Sequence, residues 1–167
     1  MYRMKGKNPD ICAQCKKPSC ISPVICKNLN ADHTPLLDIY KEVDSMPEIE
    51  RSFIGSGIRY DLLLHRYADD NLNKAAHTYM EELIARHVSG RLKVAPEHTE
   101  DNVLKMMRKP SFELSGQFKK IFDRVNKQHG LNQQLIPYFI RNWYVQILFC
   151  TCKIGLKIWK NSTILFI

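Results

Sequence analysis

Along residues 34–140, short apolar runs alternate with longer amphipathic stretches, and this alternation limits the fold more than any other feature of the chain. Thr34-Pro35 reads as a helix N-cap followed by the first helical residue. Leu36, Leu37, Tyr40 and Val43 follow at helical spacing, and Pro47 closes the run. Ser52-Phe53-Ile54 reads as a short buried strand cut by Gly55-Ser56-Gly57. Residues 72–88 form the clearest helix, with Leu72, Ala75, Ala76, Tyr79, Met80, Leu83 and Ile84 on one face. Leu92–Ala95 predicts a strand ended by Pro96. Thr99 predicts a cap for a helix over 99–109, with Glu100 and Asp101 in its first turn and Arg108 and Lys109 in its last, matching the helix dipole. A further helix starts at Ser111, buries Phe118, Ile121, Phe122 and Val125, and ends at Gly130. Residues 134–140 predict a third strand.

Strands separated by helices with short connections imply βαβ units and a parallel sheet in an α/β fold. Three strands are few for a complete open sheet or barrel, so the expectation is part of such a domain. Ligands of parallel α/β folds bind beyond the C-terminal strand ends. Those positions hold Gly55, Ser56, Gly57, Arg59, Tyr60 and Asp61 after the first strand, and Pro96, Glu97, His98 and Thr99 after the second. The Gly-Ser-Gly segment allows backbone amides to approach an anion, but a tight strand-to-helix turn is the simpler explanation. Glu97 can accept two ribose hydroxyls, or can serve the dipole of the helix that follows.

Before this body lie four cysteines within fifteen residues, Cys12, Cys15, Cys20 and Cys26, spaced C-x2-C-x4-C-x5-C. Such a quartet can close a tetrahedral shell around zinc or hold an iron–sulfur cluster. Lys16 and Lys17 favour thiolates, and Pro18 and Pro23 bend the chain between ligands. A disulfide framework is the alternative. It belongs with a secretory signal, and residues 1–11 have no apolar segment of that kind, which points to the cytoplasm. His33 can substitute as a ligand or simply flank the next helix. His77 and His87 fall inside a helical pattern that needs no chemistry from them.

The 167 residues carry a net charge of +8, but unevenly. Residues 1–30 hold six Lys/Arg against one Asp, residues 141–167 hold four against none, and the central 31–140 hold fifteen against sixteen acids. The body is therefore nearly neutral, and a broad nucleic-acid surface is not supported. The most apolar stretch, residues 143–152, is half the length a membrane span needs.

MYRMK, CKKPSCISPVICKNLNADHTPLLDIY, FIGSGIRYDLLL, HVSGRLKVAPEHTEDNVLKMMRKP and QQLIPYFI occur here in an order that resembles the middle of the YgiQ family of radical SAM proteins. The resemblance covers about residues 1–140. It implies a partial (β/α)6 barrel, a [4Fe–4S] cluster, and S-adenosylmethionine (SAM) cleaved reductively to a 5′-deoxyadenosyl radical. It places Glu97 where such proteins carry an acidic residue for the SAM ribose, and Ser56 and Arg59 at the cavity mouth. The Cys-rich insert is characteristic of the family, without fixing its metal.

The chain departs from the family pattern in two places. The C-x3-C-x2-C cluster motif is absent from the sequence, and residues 141–167, with Cys150 and Cys152, resemble no family segment. The expected organisation is a Cys-rich insert (1–33), a partial radical SAM core (34–140) forming an incomplete parallel βα barrel, and an aberrant basic, apolar tail (141–167). The expected function is that of a fragment of a radical SAM, iron–sulfur-dependent enzyme of unknown substrate, inactive by itself. The alternative is a small zinc-binding structural or interaction module.

Overall fold

The computed structural model describes residues 5–140, together with a short strand at 165–166. In chain order the elements are α1 (Pro9–Ala13), α2 (Thr34–Asp44), α3 (Tyr60–Leu64), α4 (Asp70–Arg86), β1 (Arg91–Glu97), α5 (Asp101–Met106), α6 (Phe112–Gln128), β2 (Gln134–Phe139) and β3 (Leu165–Phe166). β1 pairs in parallel with β2, and β2 with β3, giving the order β1-β2-β3. The fold is mixed α/β with a parallel sheet, and α5 and α6 form the crossover between β1 and β2. The expected aberrant character of 141–167, including Cys150 and Cys152, concerns residues that lie outside the described ones apart from the 165–166 pairing. Among the described residues no helix is long and apolar enough to cross a membrane.

One apolar cluster joins the elements. Tyr79, Met80, Leu83 and Ile84 of α4 meet Phe118, Phe122 and Val125 of α6, with Leu92, Val94 and Leu135 from the sheet and Tyr60 and Leu63 from α3. The helical spacing read in the sequence therefore defines the buried faces of α4 and α6. Both helices are capped by side chains: Asp69 accepts from the Asn71 N–H and Ser111 from the Glu113 N–H. Helix α6 ends with Gly130 at φ +63, and the Leu131 N–H reaches back to the Asn126 carbonyl at 2.8 Å, a Schellman arrangement.

Several local expectations are corrected. Residues 52–54 form no strand: the Ile54 N–H bonds the His87 carbonyl at 2.9 Å, but no ladder follows, and Phe53 is 47% exposed. The chain nevertheless runs close to β1 at Gly57, where an added Cβ would meet the Lys93 carbonyl oxygen at 3.2 Å. Strand β1 continues through Pro96 to Glu97, because the register shifts between Val94 and Glu97 and so relieves the missing proline N–H. Thr34 is inside α2, whose N-cap is His33, and Glu100 rather than Thr99 caps α5. Arg108 and Lys109 are not in the last turn of α5. They form its cap: Arg108 takes φ +55, and the Lys109 N–H returns to the Leu104 carbonyl at 2.8 Å.

Candidate functional site

The Cys-rich segment is organised by a small clamp between residues 5–8 and 28–30. Gly6 and Leu29 form an antiparallel bridge, the Lys7 N–H donates to the Asn28 carbonyl at 2.7 Å, and the Asn30 N–H donates to that of Lys5 at 2.8 Å. Asn8 caps α1, with Pro9 in the first turn, and α1 carries Cys12. The Asn28 side chain ties these parts together. Its Nδ2 donates to the Asn8 carbonyl at 2.9 Å and to Cys12 Sγ at 3.2 Å, while its Oδ1 accepts from the Asn8 N–H at 2.9 Å. Gly6 is required by proximity, since an added Cβ would lie 2.1 Å from Cys12 Sγ.

All four cysteines are free thiols; Cys12, Cys15 and Cys20 are exposed and Cys26 is half-buried. Backbone bonds link them in two pairs, with the Cys15 N–H on the Cys12 carbonyl at 3.1 Å and the Cys26 N–H on the Cys20 carbonyl at 2.8 Å. Cys15 Sγ also accepts from the Lys17 N–H at 3.5 Å. The two pairs are not gathered into one shell: among the described residues no three His, Cys, Asp or Glu side chains group as metal ligands do.

The second candidate region lies at the C-terminal end of β1. Glu97 adopts φ +66, uncommon for a residue with a Cβ, and the His98 N–H closes the turn onto the Pro96 carbonyl at 2.8 Å. Glu97 Oε1 accepts from Lys109 Nζ at 2.6 Å. Arg59 binds the buried Asp61 through two contacts, Nε to Oδ1 at 2.9 Å and Nη2 to Oδ2. That pairing raises the Arg59 pKa, against the opposing effect of burial. Burial holds the Tyr60 hydroxyl far above its ordinary range, the Asp61 charge adds to this, and Arg59 and Glu97 act on it in opposite directions. Arg59, Tyr60, Asp61 and Glu97 thus share one electrostatic neighbourhood.

Ser56 and Arg59 line the same cavity of about 250 Å³, together with His33, Tyr40 and Tyr79. Glu97 is not among its lining residues. His33 is 3% exposed with Nδ1 unpartnered among the described residues, and burial lowers its pKa, so it stands there as a neutral ring rather than with the cysteines. His87 lies just past α4, as its C-cap; it is buried, stacks on Tyr40 at 3.9 Å, and its Nδ1 lies 3.0 Å from Ser52 Oγ and 2.9 Å from the Ser52 carbonyl. Sequence reasoning missed Gly6, Asn28 and Lys109. The dipeptide Asn8-Pro9 was an available sign of α1, and through it of the clamp.

Fold and site together define a mixed α/β segment preceded by a thiol-rich loop. No family model matches the chain, and no solved structure matches it. Curated relatives do. A UPF0313 protein of Bacteroides thetaiotaomicron is 65% identical over 140 residues, 84% of this chain and 23% of the relative. One from Porphyromonas gingivalis is 61% identical over the same share of this chain and 22% of its own length. One from Pseudomonas syringae pv. tomato is 42% identical, covering 17% of that protein. This stretch of the chain belongs to the UPF0313 family, which is the YgiQ family. The chain spans about a fifth of the length of the curated relatives it matches.

Proposed function

We propose that this chain is a metal-binding segment of a radical SAM, iron–sulfur-dependent protein, in which Cys12, Cys15, Cys20 and Cys26 hold one centre beside part of a (β/α)6 barrel. The observation that carries the reading is the thiol arrangement. Four free thiols lie in two backbone-linked pairs, and sulfur atoms of the first pair already receive N–H donors from Asn28 and Lys17. The donor set fits a soft metal. Short loops between the cysteines keep the entropic cost of closing one shell low. Reduced thiols of this kind suit the cytoplasm.

In the segment leading into α3, Ser56 and Arg59 would contact SAM from their shared cavity, and Glu97 at the end of β1 would offer its ribose the carboxylate oxygen not engaged by Lys109. The bound cluster of such proteins supplies the electron for SAM cleavage. The motif that leaves an iron open to SAM, C-x3-C-x2-C, is not in this sequence, so these residues are assigned binding and orientation only. A zinc-binding structural module is the second reading. It is favoured by the count of four thiols, because a full sulfur shell leaves no open coordination position.

Metal analysis of the anaerobically purified chain tests the site. Cys20→Ser should lower metal content sharply. Full stoichiometry in a Cys12/Cys20 double serine variant would refute it. A brown protein with charge-transfer absorption supports a cluster, and a colourless protein with one zinc supports the structural module.

A further inference from the structure

A second cavity, of about 360 Å³, lies between the loop joining Cys20 to Cys26, helix α3 with the residues after it, and the α5–α6 connection. Its size is that of a small-molecule site. Arg59, Arg66, Arg108 and Lys109 line it, against Asp61 as the lining carboxylate. Arg59 is held by Asp61 and Lys109 by Glu97, so each of these cations is oriented by an acid. Arg66 and Arg108 have no acid partner among the described residues. Counting both pairs as neutral leaves an excess of two positive charges. The loop side is largely apolar, with Ile21, Pro23, Val24 and Ile25.

Arg108 supplies an independent observation. It occupies the left-handed position of the α5 cap, at φ +55, where α6 has Gly130 at φ +63. A residue with a Cβ is disfavoured there and glycine is not. An arginine is thus held against backbone preference in a cavity lining whose excess positive charge it helps to make up, and strain of this kind clusters at ligand sites.

We propose that this cavity binds a small organic phosphate monoester, its dianionic phosphate received by Arg108 and Arg66 with Arg59 and Lys109 nearby, and its organic part lying against Ile21–Ile25. Two guanidinium groups with no acid partner among the described residues match the charge of a phosphate monoester and the geometry of its oxygens better than those of a single carboxylate. The proposal goes beyond the metal reading and does not depend on it, since no cysteine lines this cavity.

The test is calorimetric titration of the full 167-residue chain with phenyl phosphate, a dianion with an apolar body, and with benzoate as the singly charged comparison. Phenyl phosphate should bind once per chain and at least about tenfold more tightly than benzoate. Arg108→Gly should lower phenyl phosphate affinity about tenfold while leaving Tm equal or higher, because it relieves the cap. Arg66→Ala should also weaken binding, and Lys120→Ala, outside the cavity lining, should not. Absence of saturable phenyl phosphate binding, benzoate binding as tight as phenyl phosphate, or unchanged affinity in the Arg108→Gly variant would overturn the proposal. Metal content measured on the same samples separates its failure from a failure of the cysteine site.

Discussion

Replacing Gly6 by alanine tests the clamp around Cys12 with one methyl group. The new Cβ would sit 2.1 Å from Cys12 Sγ and 3.0 Å from Asn28 Nδ2. Non-bonded heavy atoms settle at about 3.5–4.0 Å, so the thiol must retreat by roughly 1.5 Å. A cysteine side chain moves about one torsion, and rotating it away gives up the 3.2 Å contact from Asn28. Overpacking costs about 1–3 kcal/mol. The low end applies here, because Cys12 is exposed and can swing into solvent. The lost hydrogen bond adds about 0.5–1.5 kcal/mol. A total near 2 kcal/mol corresponds to a fall in metal affinity of about thirtyfold. Gly6 is outside the apolar core, so the thermal midpoint should hardly move. Competition against a chromophoric zinc chelator reads the affinity, and circular dichroism reads the midpoint. Parental metal affinity in Gly6→Ala would show that the clamp does not position Cys12.

Three further outcomes are expected. Phe118→Ala, at a fully buried ring 5.7 Å from that of Tyr60, should cost about 3–5 kcal/mol in urea unfolding, and a loss under about 1 kcal/mol would remove it from the core. Burial lowers the pKa of His33 below 6.5, so the unfolded chain binds the proton more readily; its contribution to stability is complete above that value and is lost as pH falls. The urea midpoint should therefore drop less on acidification in His33→Gln than in the parent, and identical pH profiles would contradict this. Glu97→Gln in a full-length UPF0313 protein should weaken SAM binding about tenfold by equilibrium dialysis, and unchanged affinity would leave Glu97 to its pairing with Lys109.

What the sequence made legible follows from how local each signal is. Helices α4 and α6 were readable because their buried faces repeat at helical period over seventeen residues each, and α6 is flanked by Ser111 and Gly130. The strand at 52–54 was misread because an apolar triplet becomes a strand only by finding a ladder, and this one finds a single backbone–backbone bond, from the Ile54 N–H to the His87 carbonyl. Helix α3 was overlooked because Tyr60 and Asp61 read as polar positions after a strand, whereas Asp61 is buried by its pairing with Arg59 from the same short segment. At the thiol site the spacing was plain, but its supports were not. Asn28 acts on Cys12 across sixteen residues, and Gly6 matters only through a contact that folding creates. Arg108 and Lys109 looked like dipole compensation and are instead a cap that faces a cavity.

X-ray absorption at the metal edge of the anaerobically purified chain addresses the central claim most directly, because it reports the ligand atoms themselves. The account predicts one centre per chain with a sulfur shell at about 2.3 Å, lost when Cys12 and Cys20 are both serine. A metal surrounded by oxygen and nitrogen alone, or a sulfur shell that survives the double substitution, would contradict it.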